Sequence, residues 1–554
     1  MISSYTAAQI AAAEKAVMAD LPPGELMSRA ALAAANVCLR ELRRRRSNAA
    51  GGSVTLLVGT GSNGGDALFA GTHLRRRGVA VTAVATGNRV HPAGRAALEQ
   101  AGGRLVTISE GGPGEFSPIE RVAEEAIACD VIVDGLLGIG ARGPLTGHAA
   151  GLVTTLIVEA GLAAPPRYRR ASKPTVVAID LPSGVGVDDG AVAGQVLPAD
   201  ITVTFGTYKP AALLPPASGL FGRIELIDLG LTPRLREGGE PAARRLEATD
   251  ALELWPVPRR ADHKYTRGVL GVVAGSETYP GAAVLTTSAA VATGVGMVRY
   301  LGPDRAVERV LSRRPEVVPG GGRVNAWALG PGVAPGADDQ VGRIGRALEW
   351  ATSGRVPTVL DAGGFQLLPA APQRLEPWIV LTPHAGELAN LLADRGVPVE
   401  RSEVEARPAH YTRLAAELVG GTILLKGPAT VVAGQDGSLF VQDDGVPWLA
   451  TAGAGDVLTG VIGALLAGHN DSAAIVPELP PQLAALGALV HGRAGRRAAG
   501  LIDAARSQGQ AGRDGRRATC PARAGCPARA IGRPISALDV VDALPDTIDE
   551  LLSR

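Results

Sequence analysis

Two α/β domains, each built on a mostly parallel sheet, are predicted by three observations. Apolar runs alternate with helical patterns through the first 230 residues, the alternation lapses near Gly230, and a second alternation begins after residue 260. Glycine-rich loops follow the strands in both halves, but the loops differ between them, so the halves are not repeats of one unit. A chain of 554 residues holds two large domains of this kind comfortably. The expected division is a domain over 1–230, a linker over 231–260 that is rich in charge, Pro and Gly-Gly, and a domain over 261–554.

Composition narrows the class. Hydrophobic residues make up 46% and charged residues 20%, which argues for a folded chain. Lys+Arg 55 against Asp+Glu 54 leaves a net charge of +1, without the basic surplus of a polynucleotide binder. Aromatics at 3% offer few stacking platforms for single strands, so nucleic acid is not the expected partner. Four cysteines are too few to staple the chain and suit a reducing, cytoplasmic setting, and the first residues carry no secretory signal pattern. The long uncharged stretch 278–298 is diluted by Pro280, Gly281, Gly294, Gly296 and several hydroxyl residues, so it is expected as a buried helix and no membrane partner is expected.

The elements follow in order. Residues 6–42 are expected as two Ala-rich helices broken at Pro22-Pro23-Gly24, and the basic run Arg43 to Arg46 as a solvated helix end. Strands are expected at 54–58, 79–85, 131–133, 175–180 and 201–205, and in the second half at 269–274, 324–329, 358–361, 378–382, 422–426 and 430–433. Residues 507–533 are polar and rich in Arg and Gly, with Cys520 and Cys526 at no known zinc spacing, and are expected as a flexible insertion.

Gly59-Thr-Gly61-Ser-Asn63-Gly64-Gly65-Asp66 lies between the first strand and a helix expected over 67–77. In that context G-x-G-x-x-G lets backbone approach a pyrophosphate at a helix N-terminus, although a sharp turn without a ligand has the same pattern. The next strand ends at Gly87-Asn88-Arg89 without the acid that grips a ribose 2′-hydroxyl, so a 2′-phosphate is tolerated. Asp134-Gly-Leu-Leu-Gly138 and Asp180-Leu-Pro182-Ser183-Gly184 also open at strand ends, where open sheets bind ligands, and an Asp there is equally a turn former. Asn63, Asp134 and Ser183 offer hard oxygen ligands suited to a cation.

These motifs, with Thr204-Phe-Gly-Thr-Tyr-Lys209, resemble the NAD(P)HX epimerase domain, a Rossmann-like three-layer sandwich. The resemblance implies that Ser62, Asn63, Gly64, Gly65 and Asp66, the loop Gly138, Ile139, Gly140, Ala141, Arg142, Gly143 and Pro144, and Asp180 bind a hydrated nicotinamide dinucleotide. It implies that Asn63, Asp134 and Ser183 hold potassium, and Asp180 is the candidate acid/base. Ser62 stands where the family has Asn, Ala67 where it has Gly, and Leu26-Met27-Ser28 lacks the family's Glu.

In the second half, Thr451-Ala-Gly453-Ala-Gly455-Asp456 runs into an apolar helix over 457–467. The glycines free backbone N–H groups for a phosphate, and Asp456 beside them can take a hydroxyl proton or serve as a plain cap. Lys426-Gly427-Pro428-Ala429-Thr430 turns between two strands, lining a nucleotide or simply closing a hairpin. His384 and Glu387 in Thr382-Pro-His384-Ala-Gly386-Glu387, and Gly330-Pro331-Gly332, occupy further strand ends, where a satisfied loop histidine and a first-turn acid are the alternatives. No G-x-x-x-x-G-K-[ST] occurs, so this is not a P-loop protein.

Together with His263-Lys-Tyr-Thr-Arg-Gly268, these loops resemble the ribokinase-like superfamily, and within it the ADP/ATP-dependent NAD(P)HX dehydratases. The resemblance implies that Lys426, Gly427, Pro428, Ala429, Thr430 and Gly455 contact ADP or ATP, that Mg²⁺ accompanies the nucleotide, and that Ala282, Gly332, His384 and Asp456 contact the hydrated substrate. Asp456 is the candidate catalytic base. The expected activity is metabolite repair: epimerisation of R- and S-NAD(P)HX, then dehydration of the S epimer to NAD(P)H, with NADHX, NADPHX and ADP as small-molecule partners. A ribokinase-like small-molecule kinase that stops at the phosphorylated product, or a dinucleotide sensor, remains open on the residues alone. So does a homo-oligomer.

Overall fold

The computed structural model describes residues 1–108, 118–159, 161–162, 173–334, 336–368, 374–469, 472–501 and 532–553. The chain divides into two compact units, Ile2–Arg244 and, apart from Met1, Arg245–Arg554.

The amino unit is built on seven parallel strands: β1 (Ser53–Val58), β2 (Ala80–Ala85), β3 (Arg104–Thr107), β4 (Val131–Gly135), β5 (Thr175–Ile179), β6 (Ile201–Phe205) and β7 (Arg223–Ile227). Their order is β3-β2-β1-β4-β5-β6-β7, so the chain reverses direction between β1 and β4. That crevice, at the carboxyl ends of the strands, is where open sheets take ligands. Helices α1 (Ala7–Ala19), α2 (Glu25–Arg46), α3 (Ser62–Arg75), α4 (Pro92–Gln100), α5 (Pro118–Ile127) and α6 (Gly147–Glu159) accompany the sheet. Leu56, Val58, Val133 and Val177 point to one core with residues of α2 and α3, while Leu57, Ile132 and Val176 point to the other with α5 and α6. Both faces are therefore buried, which is why these strands read as continuous apolar runs. The predicted break at Pro22-Pro23-Gly24 separates α1 from α2, with Gly24 at φ 80°. Strands β3 and β7 were not expected, because exposed Arg104 and Arg223 interrupt their apolar pattern at the sheet edges.

The carboxy unit has β8 (Val269–Val273), β9 (Met297–Tyr300), β10 (Val318–Pro319), β11 (Ala326–Leu329), β12 (Thr358–Leu360), β13 (Leu375–Leu381), β14 (Gly420–Leu425), β15 (Thr430–Gly434) and β16 (Leu439–Gln442). They lie in the order β16-β15-β14-β13-β12-β11-β8-β9-β10, parallel except for the antiparallel hairpins β14-β15 and β15-β16. The stretch 278–298 is no membrane span: it forms a helix over Pro280–Thr293 with buried Ala and Thr, then enters β9. No helix among the described residues is long and apolar enough to cross a membrane.

The stretch 231–260, expected as a linker, is ordered and split between the units. Helix α7 (Thr232–Glu237) buries Leu235, beside Leu231, in the amino core, and α8 (Ala248–Leu254) buries Ala251, with Trp255, in the carboxy core. Charge and glycine dominate the composition there, but these few spaced apolar side chains are enough to dock each piece. Of the expected insertion 507–533, residues 507–531 lie outside the described residues, and Cys520 and Cys526 with them.

Candidate active sites

In the amino unit the glycine loop is shaped by close backbone approach. A Cβ at Gly59 would lie 1.8 Å from the Leu136 carbonyl oxygen, and one at Gly64 would lie 2.2 Å from the Gly59 carbonyl oxygen. Helix α3 begins at Ser62, earlier than expected, because Gly61 is its cap and Asn63, Gly64, Gly65 and Asp66 form its first turns. A glycine cap has no side chain to satisfy the first N–H groups, so they face the crevice for an anionic group.

Asn63, Asp134 and Ser183 gather around the backbone of Leu136 and Leu137. The Asn63 amide nitrogen donates to the carbonyl oxygens of Leu137 at 2.7 Å and Ile179 at 2.8 Å. Two acceptors there fix the amide orientation and leave Oδ1 turned to Gly138, where a Cβ would come within 3.0 Å of it. The Ser183 hydroxyl donates to Asp134 Oδ1 at 2.6 Å, and the Ser183 and Leu136 backbone N–H groups donate to the same carboxylate. Asp134 is fully buried, burial pushes its pKa up, and the three donors to its carboxylate named above are all neutral. Oxygen donors around a buried carboxylate with no cationic partner among them fit a monovalent cation.

Asp180 follows β5 at φ 70°, a left-handed conformation that ends the strand one residue sooner than expected. Its Oδ1 is ion-paired with Lys209 and accepts from Thr204 Oγ1 and the Phe205 N–H, both at 3.3 Å. Lys209, 1% exposed, also donates to Thr204 Oγ1 at 3.1 Å and the Phe205 carbonyl at 2.9 Å. Asp66 is buried nearby, and its Oδ1 has no hydrogen-bond partner. Burial first, then the negative charges of Asp180 and Glu14, push its pKa up to about 8. Of the loop 138–144, Gly140, Arg142, Gly143 and Pro144 are exposed, and Ile139 packs partly against the core.

In the carboxy unit, helix α9 (Pro280–Thr293) brings Ala282 against Gly332, where a Cβ would lie 2.3 Å from that of Ala282. Helices α10 (Asp304–Arg313) and α11 (Asp338–Gly354) follow, and α12 (Ala385–Ala393) is capped by His384. The His384 ring accepts from the Glu387 N–H at 3.1 Å, and the Glu387 carboxylate accepts from the His384 N–H at 2.8 Å. The reciprocal cap leaves the imidazole largely exposed. Beyond α13 (Arg401–Ala406) and α14 (Pro408–Val419), Lys426 stands at the end of β14. Its ammonium pairs with Asp361 Oδ1 at 2.8 Å and lies 4.0 Å from Glu387. The other Asp361 oxygen accepts from Thr459 at 3.1 Å, and Thr382 donates to Oδ1 at 2.8 Å.

Helix α15 (Ala454–Gly468) starts from Gly453 at φ 87°, again without a side-chain cap. A Cβ on Gly455 would lie 3.5 Å from Lys426 Nζ, so the helix N-terminus and the ammonium address the same space. Asp456 sits in that first turn. Burial and then the charge of Asp361 push its pKa up to about 7, with Lys426 pulling the other way. A base that titrates near neutrality beside an anion-binding helix end suits proton removal from a hydroxyl during phosphoryl transfer.

Three residues that sequence reasoning left without a role belong to these sites. Asp361 was legible as an acid at a strand end, like Asp134 and Asp180. Lys209 lay inside a quoted motif, but its pairing with Asp180 depends on the turn after β6. Glu14 carried no local signal, being one acid in an Ala-rich helix.

A family model described as YjeF-related protein N-terminus matches residues 23–211, and one described as NAD(P)H-hydrate dehydratase matches residues 270–504. The bifunctional NAD(P)H-hydrate repair enzyme Nnr of Mycobacterium tuberculosis is 42% identical over 473 residues, covering 84% of this chain and 89% of that protein. The enzyme of the same name from Escherichia coli is 33% identical over 478 residues, covering 85% and 84%. Among solved structures, the ADP/ATP-dependent NAD(P)H-hydrate dehydratase from Bacillus subtilis is 25% identical, with a TM-score of 0.42, covering 55% of this chain and 98% of that one. With both halves matched, and relatives similar over most of their own length, the chain belongs to the family of bifunctional NAD(P)H-hydrate repair enzymes.

Proposed function

We propose that the chain repairs hydrated reduced nicotinamide dinucleotides, with one reaction in each unit. The amino unit interconverts the epimers at carbon 6 of NADHX and NADPHX. The carboxy unit dehydrates the S epimer to NADH or NADPH at the expense of ADP or ATP. The observation that carries this reading is Asp456: a half-buried carboxylate whose pKa is pushed up to about 7, at a glycine-capped helix end that also faces Lys426. Asp456 removes the proton from the carbon 6 hydroxyl as the terminal phosphoryl group of the nucleotide moves to its oxygen. Lys426 and the first-turn N–H groups of α15 hold the phosphates, with Gly427, Pro428, Ala429 and Thr430 lining the nucleotide. Ala282, Gly332 and His384 border the substrate. The ring nitrogen lone pair then expels inorganic phosphate, and loss of a carbon 5 proton restores the double bond. When bound, Mg²⁺ would neutralise the nucleotide phosphates, which would supply most of its oxygen ligands. In the amino unit Asn63, Asp134 and Ser183 are suited to potassium, which offsets the buried charge of Asp134. Ser62 to Asp66 and the loop 138–144 line the dinucleotide.

The test is incubation of purified protein with mixed NADHX epimers, with and without ADP, followed by reduced-nicotinamide absorbance and released phosphate. Nucleotide-dependent recovery of NADH with phosphate release is the expected result. Accumulation of a phosphorylated product without NADH would instead identify a small-molecule kinase.

A further inference from the structure

The two carboxylates of the amino site live in opposite environments. Asp180 is ion-paired with Lys209 and accepts from Thr204 and the Phe205 N–H. The Lys209 ammonium has three N–H donors, and its three partners are Asp180, Thr204 Oγ1 and the Phe205 carbonyl. No donor of that cation is left for Asp66. Asp66 is 8% exposed, its Oδ1 is buried without a hydrogen-bond partner, and the charges that reach it are those of Asp180 and Glu14. An ionised carboxylate in that position has an unsatisfied charged oxygen facing two like charges. A protonated one carries no charge for them to repel, and its burial costs only what a neutral polar group costs.

We infer that Asp66, rather than Asp180, is the proton donor and acceptor of the epimerisation, an assignment that rests on the epimerase reading proposed above. Its pKa of about 8 keeps the proton in place at neutral pH. Asp66 holds its proton, while Asp180 is committed to its ion pair with Lys209. Asp66 gives its proton to the carbon 6 hydroxyl. The C6–O bond breaks, water leaves, and the ring nitrogen lone pair forms the N1=C6 iminium. Water then adds to the opposite face of carbon 6, its extra proton returns to Asp66, and the other epimer results. No oxidant or second reactant is consumed. The Asp180–Lys209 pair is a positioning element: the Asp180 carboxylate adds to the burial that keeps Asp66 protonated, and it faces the cationic iminium when that forms.

The test follows resolved R-NADHX to S-NADHX by chromatography, with the full-length wild type, D66N and D66A. Wild-type interconversion faster than the spontaneous rate tests the epimerase reading itself, and its absence would overturn that reading before any variant is compared. Given wild-type activity, D66N is expected to lower kcat for interconversion by about 10²- to 10⁴-fold with little change in KM. Added formate is expected to restore part of the D66A rate in a saturable manner. A D66N kcat within tenfold of wild type, or a rise in KM alone, would make Asp66 a binding residue and overturn the inference. If D66N does not fold, as judged by its melting curve, formate and D66A decide: no rescue overturns the assignment.

Discussion

With Asp456 as the proposed base, its burial and then the charge of Asp361 set the pH range in which dehydration runs. The base must be ionised to accept a proton, and its pKa is raised to about 7. The kcat/KM for the S epimer should therefore rise as pH increases through about 7. D361N removes the like charge and releases Lys426 toward Asp456, so this limb should move to lower pH; a limb that stays in place would show that another group controls it. Asp66 ties function to stability. Its folded-state pKa of about 8 lies above the ordinary carboxylate value near 4. The stabilisation is complete below about pH 4 and is lost as pH rises toward 8. Asn at this position never ionises, so D66N should melt at a higher temperature than wild type, by a margin that widens from pH 4 to 8 and then levels. A margin independent of pH would mean that Asp66 is not held neutral. At Asp134, replacing potassium by choline should slow epimerisation without altering nucleotide-dependent dehydration, measured on the two epimers separately.

Elements were legible in the sequence where burial is two-sided. Strands β1, β4, β5 and β6 appear as plain apolar runs because helices cover both faces of their sheet. The edge strands β3 and β7 have no such signature, because their charged residues look like loop, and β10 is only the two residues Val318 and Pro319. The stretch 231–260 misled for a related reason: its anchors, Leu231, Leu235, Ala251 and Trp255, are too sparse to outweigh its charge and glycine. At the glycine loop the element fails through backbone alone. Gly59→Ala forces a Cβ to 1.8 Å from the Leu136 carbonyl, which relaxation of a side chain cannot relieve. The expected cost of about 3 kcal/mol or more should appear as a lower melting temperature for the amino unit and loss of epimerisation. The segment expected as an insertion is the opposite case. The Arg533 N–H donates to the Ala499 carbonyl at 2.9 Å, so the chain returns beside the point where it left. Deleting residues 507–531 should leave dehydration unchanged; a folded deletion variant without turnover would show that the segment serves the site.

Across the whole molecule, most of each candidate site was legible because acids and glycines stand at strand ends, where topology must bring them together. The partners that tune those acids were less so. Lys209 and Glu14 reach Asp180 and Asp66 only through the turn after β6 and the packing of α1, and no spacing rule announces either. On the proposed function two chemistries are housed in separate units of one chain, and Asp456 divides them most cleanly. The decisive measurement follows resolved R- and S-NADHX separately, with ADP and Mg²⁺, for wild type and D456N. The prediction is that D456N loses about 10²- to 10⁴-fold in dehydration of the S epimer while still converting R to S at the wild-type rate. A folded D456N that loses both activities, or that still dehydrates the S epimer at the wild-type rate, would rule out Asp456 as the base of a reaction confined to the carboxy unit.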